Sequence, residues 1–210
     1  MMENKELNAK ESLELITQMI QNSKKNLQSG NGNILLLWGY LCAVTALVVY
    51  ILTLSTDNPI WNWLWFAIPV IGYPTMYWQL KKEVKPVLTY TDKVLKNIWK
   101  IIGEYGIGVS IICALYFNTM VFILPMVLIL VSLGMCITGS IINDKFTYNC
   151  SGCGLAVGVI TLGQILNPSQ LDLQYPAFAF AFIIMMILPG HRLNKEASKT
   201  SSEDTSAPSK

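Results

Sequence analysis

The sequence predicts an all-α integral membrane protein: six transmembrane helices in three hairpins, preceded by a cytoplasmic amphipathic helix. Three observations carry that expectation. Apolar runs recur along the 210 residues, several of them as long as the roughly 20 residues a bilayer core requires. Only 13% of the residues are charged, about half the share usual in soluble domains. All fifteen Lys and Arg residues fall in alternate gaps between the apolar runs, and such one-sided placement marks the cytoplasmic loops of membrane proteins.

Residues 1–33 form the first unit. Within it Lys5 to Gln28 reads as an amphipathic helix, because Leu13, Ile16, Ile20 and Leu27 share one stripe that Met19 widens. Ser29, Gly30, Asn31 and Gly32 are expected to break that helix. Its apolar stripe fits either the inner leaflet or a docking and dimerisation surface for a cytosolic partner. The first apolar run is expected to act as an uncleaved anchor, since a polar segment precedes it and no cleavage signal follows.

The transmembrane unit covers 34–193, with spans at 34–54, 61–80, 101–117, 120–142, 150–166 and 175–193. Pro69, Gly72 and Pro74 in the second span predict a kink. Trp61, Trp63 and Trp65 at one end of that span, and Tyr77 and Trp78 at the other, suit the two membrane interfaces. A cytoplasmic connector, 81–100, follows. Val84, Val87, Leu88, Thr91, Val94, Leu95 and Ile98 give it an apolar side, and Pro86 places its helix start near Lys85. Asp92 and Lys96 form an i, i+4 pair in the favourable order. The apolar stretch Ile101 to Ile142 is twice the length of one span, and Asn118-Thr119 near its middle suggests a tight turn.

The uninterrupted apolar part of the sixth span, Pro176 to Leu188, has the length of a re-entrant segment, but charge placement favours a full crossing. Six crossings put the lysines before span one, those of 81–100, Lys145 and the basic residues from Arg192 onward on one side. Both chain ends are then cytoplasmic. Arg192 can snorkel from the helix end to the headgroups. The tail, 194–210, is too polar to bury anything and is expected to be disordered.

Few residues carry chemistry. Glu104 is the carboxylate that sits well inside an apolar run, and an intramembrane acid marks a functional-site hypothesis because burying its charge is costly. Lys100, four residues earlier, offers it an i, i+4 partner. With Gln164, Thr45 and Thr138 it belongs to the polar groups that could face a shared cavity. Cys150-Ser-Gly-Cys153 has the spacing of a redox pair or half a metal site, but the strand context of the first and the further ligands of the second are missing. It reads instead as the small-residue start of span five. Gly154 and Gly158 make a close-packing GxxxG face there, and Gly106, Ser110 and Ala114 repeat the four-residue spacing in span three, as Ser132, Cys136 and Ser140 do in span four. His191 reads as an interfacial polar residue. No G-x-S-x-G, H-E-x-x-H or Walker A pattern occurs, so the chain is expected to be no enzyme and to hold no cofactor and no metal. No basic, aromatic-laced soluble patch suggests nucleic acid.

Several short motifs occur in a telling order: Glu11-Ser-Leu-Glu-Leu-Ile-Thr-Gln-Met-Ile20, Ser23-Lys-Lys-Asn26, Leu37-Trp-Gly-Tyr40, Ile137-Thr-Gly-Ser-Ile-Ile142 and Leu188-Pro-Gly-His-Arg-Leu193. In that order the chain resembles an uncharacterised family of small bacterial multi-span, six-helix inner-membrane proteins. The resemblance covers most of the chain before the tail. It implies the topology above and a bacterial inner-membrane address with both ends cytoplasmic, and it implies no activity. The family pattern implies a Gly/Ile-rich start to span five, from which Cys150 and Cys153 depart. Two functional readings follow. One is a non-enzymatic helix-packing interaction or regulatory module whose partners are membrane lipids and either further copies of itself or a cytosolic or membrane protein. The alternative is a small transporter or channel subunit with a site near Glu104.

Overall fold

A computed structural model describes residues 9–56, 58–82, 90–116, 122–166 and 173–206, and these are helical except at a few turn positions, with no strand among them. In chain order they form α1 (Ala9–Thr56), a 3₁₀ segment (Pro59–Phe66), α2 (Ala67–Lys82), α3 (Tyr90–Tyr116), α4 (Ile123–Ile142), α5 (Lys145–Leu166), α6 (Gln174–Phe182), a π-helical turn (Ile183–Ile187) and α7 (Leu188–Ser206). The last three make one rod. The expected helix start near Lys85, the Asn118-Thr119 turn and most of the loop from Asn167 to Gln174 lie outside the described residues, as does the Asp92 side chain. So do the side chains of Ile16, Met19, Ile20 and Leu27; Leu13 is exposed.

Among the described residues three helices are long and apolar enough to cross a membrane: Gly32–Thr56, Ile123–Ile142 and Gln174–Glu196. The last is 23 residues, about 35 Å at 1.5 Å per residue, so the π turn does not shorten it to a re-entrant length. Large side chains such as Val44, Ile51, Val70, Tyr105, Ile111, Leu115 and Ile160 are exposed around the bundle. A surface this apolar belongs against lipid rather than water, so the protein is membrane-associated.

Four sequence expectations are corrected. The Ser29–Gly32 segment does not break the first helix, which runs unbroken for 48 residues. Helical glycine costs about 1 kcal/mol relative to alanine, and Gly32 offsets this by letting α7 approach: a Cβ there would collide with the Asn194 side chain. The fifth helix starts at Lys145 rather than Cys150, because Asp144 caps it. The segment 194–206 continues helix α7 instead of being disordered, held at its root by Arg192–Glu196 and Asn194–Asn33 contacts. The second span begins as a 3₁₀ segment with Asn58 at its N-cap, and the α-helix proper starts at Ala67.

The core lies where α1, α4 and the α6–α7 rod meet. Phe182, Leu128, Met135, Met185 and Leu193 are fully enclosed there. Inside lipid such burial gains little from water exclusion, so close packing must hold the helices together. The α4–α5 pair shares the most extensive interface of the bundle. On α5 the buried residues Thr147, Ser151, Gly154, Gly158 and Thr161 follow each other at alternating spacings of four and three, the period that keeps one seam facing a partner helix. A Cβ on Gly158 would stand 2.8 Å from Ile129 Cγ1, and one on Gly139 of α4 would stand 2.6 Å from the backbone nitrogen of Tyr148. Ser132 closes the same seam by donating to the Ser151 carbonyl at 2.7 Å.

The α6–α7 rod packs on α1 through Gly39, whose Cβ would meet Ile187 and Met186, and through Gly190, whose Cβ would meet Leu36. Helix α2 leans on α1 with Gly72 under the Trp38 ring. Pro74 removes one backbone donor within α2, and the neighbouring Thr75 hydroxyl donates to the Ile71 and Gly72 carbonyls. Helix α3 packs mainly on α4, where Ile102 and Trp99 cover Gly134.

Candidate functional site

The largest group of polar side chains that reach between helices lies at the end of the bundle where α1 and α7 extend beyond it. The α4–α5 turn builds one side. Asn143 takes the left-handed conformation, with φ 57° and ψ 37°, which asparagine tolerates better than most side chains. Its N–H and that of Asp144 then return to Ser140 O at 3.3 Å and Gly139 O at 3.0 Å, the Schellman arrangement that satisfies the last carbonyls of a helix. Asp144 next starts α5. Its carboxylate accepts from the backbone N–H of Phe146 at 3.3 Å and Thr147 at 3.1 Å, and from the Thr147 hydroxyl at 2.6 Å. A two-residue hinge therefore ends one helix and caps the next.

Helix α7 supplies the other side. The Arg192 guanidinium lies 3.6 Å from Asp144 and 2.9 Å from Glu196, and stacks 4.8 Å from the Phe146 ring centre. Partial burial pushes the Asp144 carboxyl up, but the Thr147 hydrogen bonds, the Arg192 charge and the Phe146 N–H outweigh it and hold the group below the usual carboxylate range. On the α1 side the Tyr40 hydroxyl and His191 Nε2 are 2.7 Å apart, and Asn194 donates to Asn33 at 2.7 Å. A single turn of α7, from His191 to Asn194, thus ties two other elements, α1 through His191 and Asn194 and the α4–α5 turn through Arg192. Gly32 and Gly190 let the α1 and α7 backbones come close enough for these bonds to form.

The residues singled out in sequence lie elsewhere. Glu104 is on the outer side of α3, mostly exposed, 3.7 Å from Lys100. Gln164 is half-buried near the far end of α5. Nothing brings the two together, since α4 packs against both of their helices. Gly154 and Gly158 line the α4–α5 seam. A Cβ on Gly106 would meet nothing within 4 Å, and Ser110 bonds back to the Gly106 carbonyl of its own helix at 2.8 Å; the Ala114 side chain lies outside the described residues. Cys150 and Cys153 sit one turn apart inside α5 as free thiols. Among the described residues no group of three or more His, Cys, Asp or Glu is placed to hold a metal ion.

Sequence reasoning missed the junction of Tyr40, Asp144, His191, Arg192 and Asn194. A signal for part of it was present: Asn143-Asp144 followed by Thr147 reads as a helix stop and an N-cap. Apart from Ser132, which bonds across the α4–α5 seam, buried hydroxyls such as Thr138 and Thr161 bond within their own helices, to Gly134 O and Val157 O. Comparison with protein-family models, curated proteins and solved structures found no match.

Proposed function

We propose that the protein is a non-enzymatic interaction module of a bacterial inner membrane, with six membrane crossings and both chain ends in the cytoplasm. One observation carries the reading. Helix α1 continues from Gly32 back to Ala9, and α7 continues past Glu196 to Ser206, so two helical arms leave the apolar bundle at the end where the polar junction fixes their roots. The α1 arm, residues 9–31, is about 34 Å long at 1.5 Å per residue. Arms rooted in a rigid bundle suit presentation of a surface to a partner. The alternate placement of basic residues supports six crossings and cytoplasmic ends, with α2, α3 and α5 as the additional spans. The resemblance to small multi-span bacterial proteins supports the address. The transport alternative gains no support from Glu104, which faces outward beside Lys100.

Photo-crosslinking in native membranes tests this. With the probe placed along 9–31 or 195–206, one dominant protein adduct is expected. With the probe on the outer faces of α2 and α3, lipid adducts are expected. Adducts to a second copy from α3 alone, with silent arms, would contradict the module and favour an oligomeric pore.

A further inference from the structure

We propose that the outward face of the α2–α3 end, carrying Lys81, Lys93, Lys96 and Lys100, binds the headgroups of anionic phospholipids. The inference rests on α3 crossing the bilayer, as in the functional reading above. Lys93, Lys96 and Lys100 recur at helical spacing and are all exposed, so they share one face of α3. Leu95 is buried on a different face, and Trp99 and Ile102 cover Gly134 of α4. The lysines therefore point sideways from the bundle rather than into it.

Their height fits as well. Ile101 begins the apolar part of α3, and the turns from Lys93 to Lys100 rise about 10 Å just before it, comparable with the headgroup layer of one leaflet. Helix α2 touches α3 just past this stretch, where the Tyr73 hydroxyl lies 3.4 Å from the place of a Cβ on Gly103, and residues 83–89 link the two helices in the chain. Tyr77, Trp78 and Lys81 of α2 are exposed there. Among the described side chains of this end, four exposed lysines face one exposed carboxylate, Glu104, already paired with Lys100.

Beyond the Lys100–Glu104 pair the face continues along α3 into exposed Ile107, Ile111 and Leu115. A ligand that matches it must carry negative charge at one level and apolar chain directly beside it. A phospholipid does so in the orientation it already has in the leaflet. A soluble anion would leave the apolar continuation uncovered.

The test uses the full-length protein in vesicles of phosphatidylcholine mixed with phosphatidylglycerol, with retained lipid identified by native mass spectrometry after transfer to detergent. Wild type is expected to retain phosphatidylglycerol over phosphatidylcholine by roughly tenfold, given the strength of a lysine cluster near anionic lipid. The triple variant Lys93→Gln, Lys96→Gln, Lys100→Gln is expected to fall to near parity. The control Lys195→Gln, Lys199→Gln, at exposed lysines of α7, is expected to keep the preference. Equal retention in wild type, or an unchanged preference in the triple variant, overturns the proposal. Alkaline extraction of the same vesicles separates the two ideas. Protein stripped from the vesicles contradicts the membrane crossings themselves, whereas protein that stays without a lipid preference contradicts the headgroup site alone.

Discussion

Gly139→Ala is expected to destabilise the purified protein markedly, while Gly106→Ala leaves its melting temperature unchanged or slightly raised. At Gly139 the added Cβ would stand 2.6 Å from the Tyr148 nitrogen and 2.9 Å from its Cα. Both atoms are backbone, so no rotamer change can relieve the overlap, and α4 and α5 must separate where they turn into one another. Overpacking costs about 1–3 kcal/mol, and an overlap with backbone belongs at the upper end of that range, above the roughly 1 kcal/mol that alanine gains as a helix former. At Gly106 there is nothing within 4 Å, so only the propensity gain remains. Thermal unfolding in detergent, followed by circular dichroism, reads both variants. Equal effects at the two sites would mean that the α4–α5 seam does not hold the bundle.

The second large effect is expected at the hinge. Asp144→Ala removes a helix cap worth about 0.5–2 kcal/mol together with the Arg192 contact. Asp144→Asn loses the ion pair and one of the two acceptor oxygens but keeps the other for the Thr147 N–H, so it should cost less than alanine. The pH dependence has a definite sign. The carboxyl titrates lower in the folded protein than its ordinary value, so its stabilisation is fully present above the ordinary carboxylate range, near pH 4. It is lost as pH falls through the lowered value. Melting curves of wild type and Asp144→Asn should therefore keep a constant offset at neutral pH and converge in acid. An offset that grew on acidification would show that Asp144 does not bear this load.

What could be read from the sequence is what hydrophobic length and charge placement encode. The runs within Gly32–Thr56, Ile123–Ile142 and Gln174–Glu196 are apolar over a bilayer's thickness, and a helix is the form that satisfies their backbone there. Helix ends were less legible. Cys150 looks like the start of a helix because the residues before it are polar, yet Asp144 begins it, since capping depends on one side-chain oxygen and not on hydropathy. Gly30 and Gly32 carry a breaker's propensity, but a close neighbour on α7 makes Gly32 useful within the helix.

The junction residues were hidden for a different reason. Tyr40 and His191 are 151 positions apart, and Asn33 and Asn194 are 161 apart; no local pattern links them. Small-residue spacing had the opposite weakness. Gly106 with Ser110 and Gly154 with Gly158 look alike in sequence, but spacing states which residues share a face and not whether a helix covers it. In the structure the α5 pair meets α4, and Gly106 meets no side chain.

The central claim is that the polar junction and both helical arms lie on the cytoplasmic side of a six-crossing bundle. Reporter fusions at the two chain ends, at Asp57-Asn58 and at Asn118-Thr119 measure this directly. Cytoplasmic signals from both ends and exterior signals from the two internal sites are the expected result. Chain ends reporting from opposite compartments would contradict it.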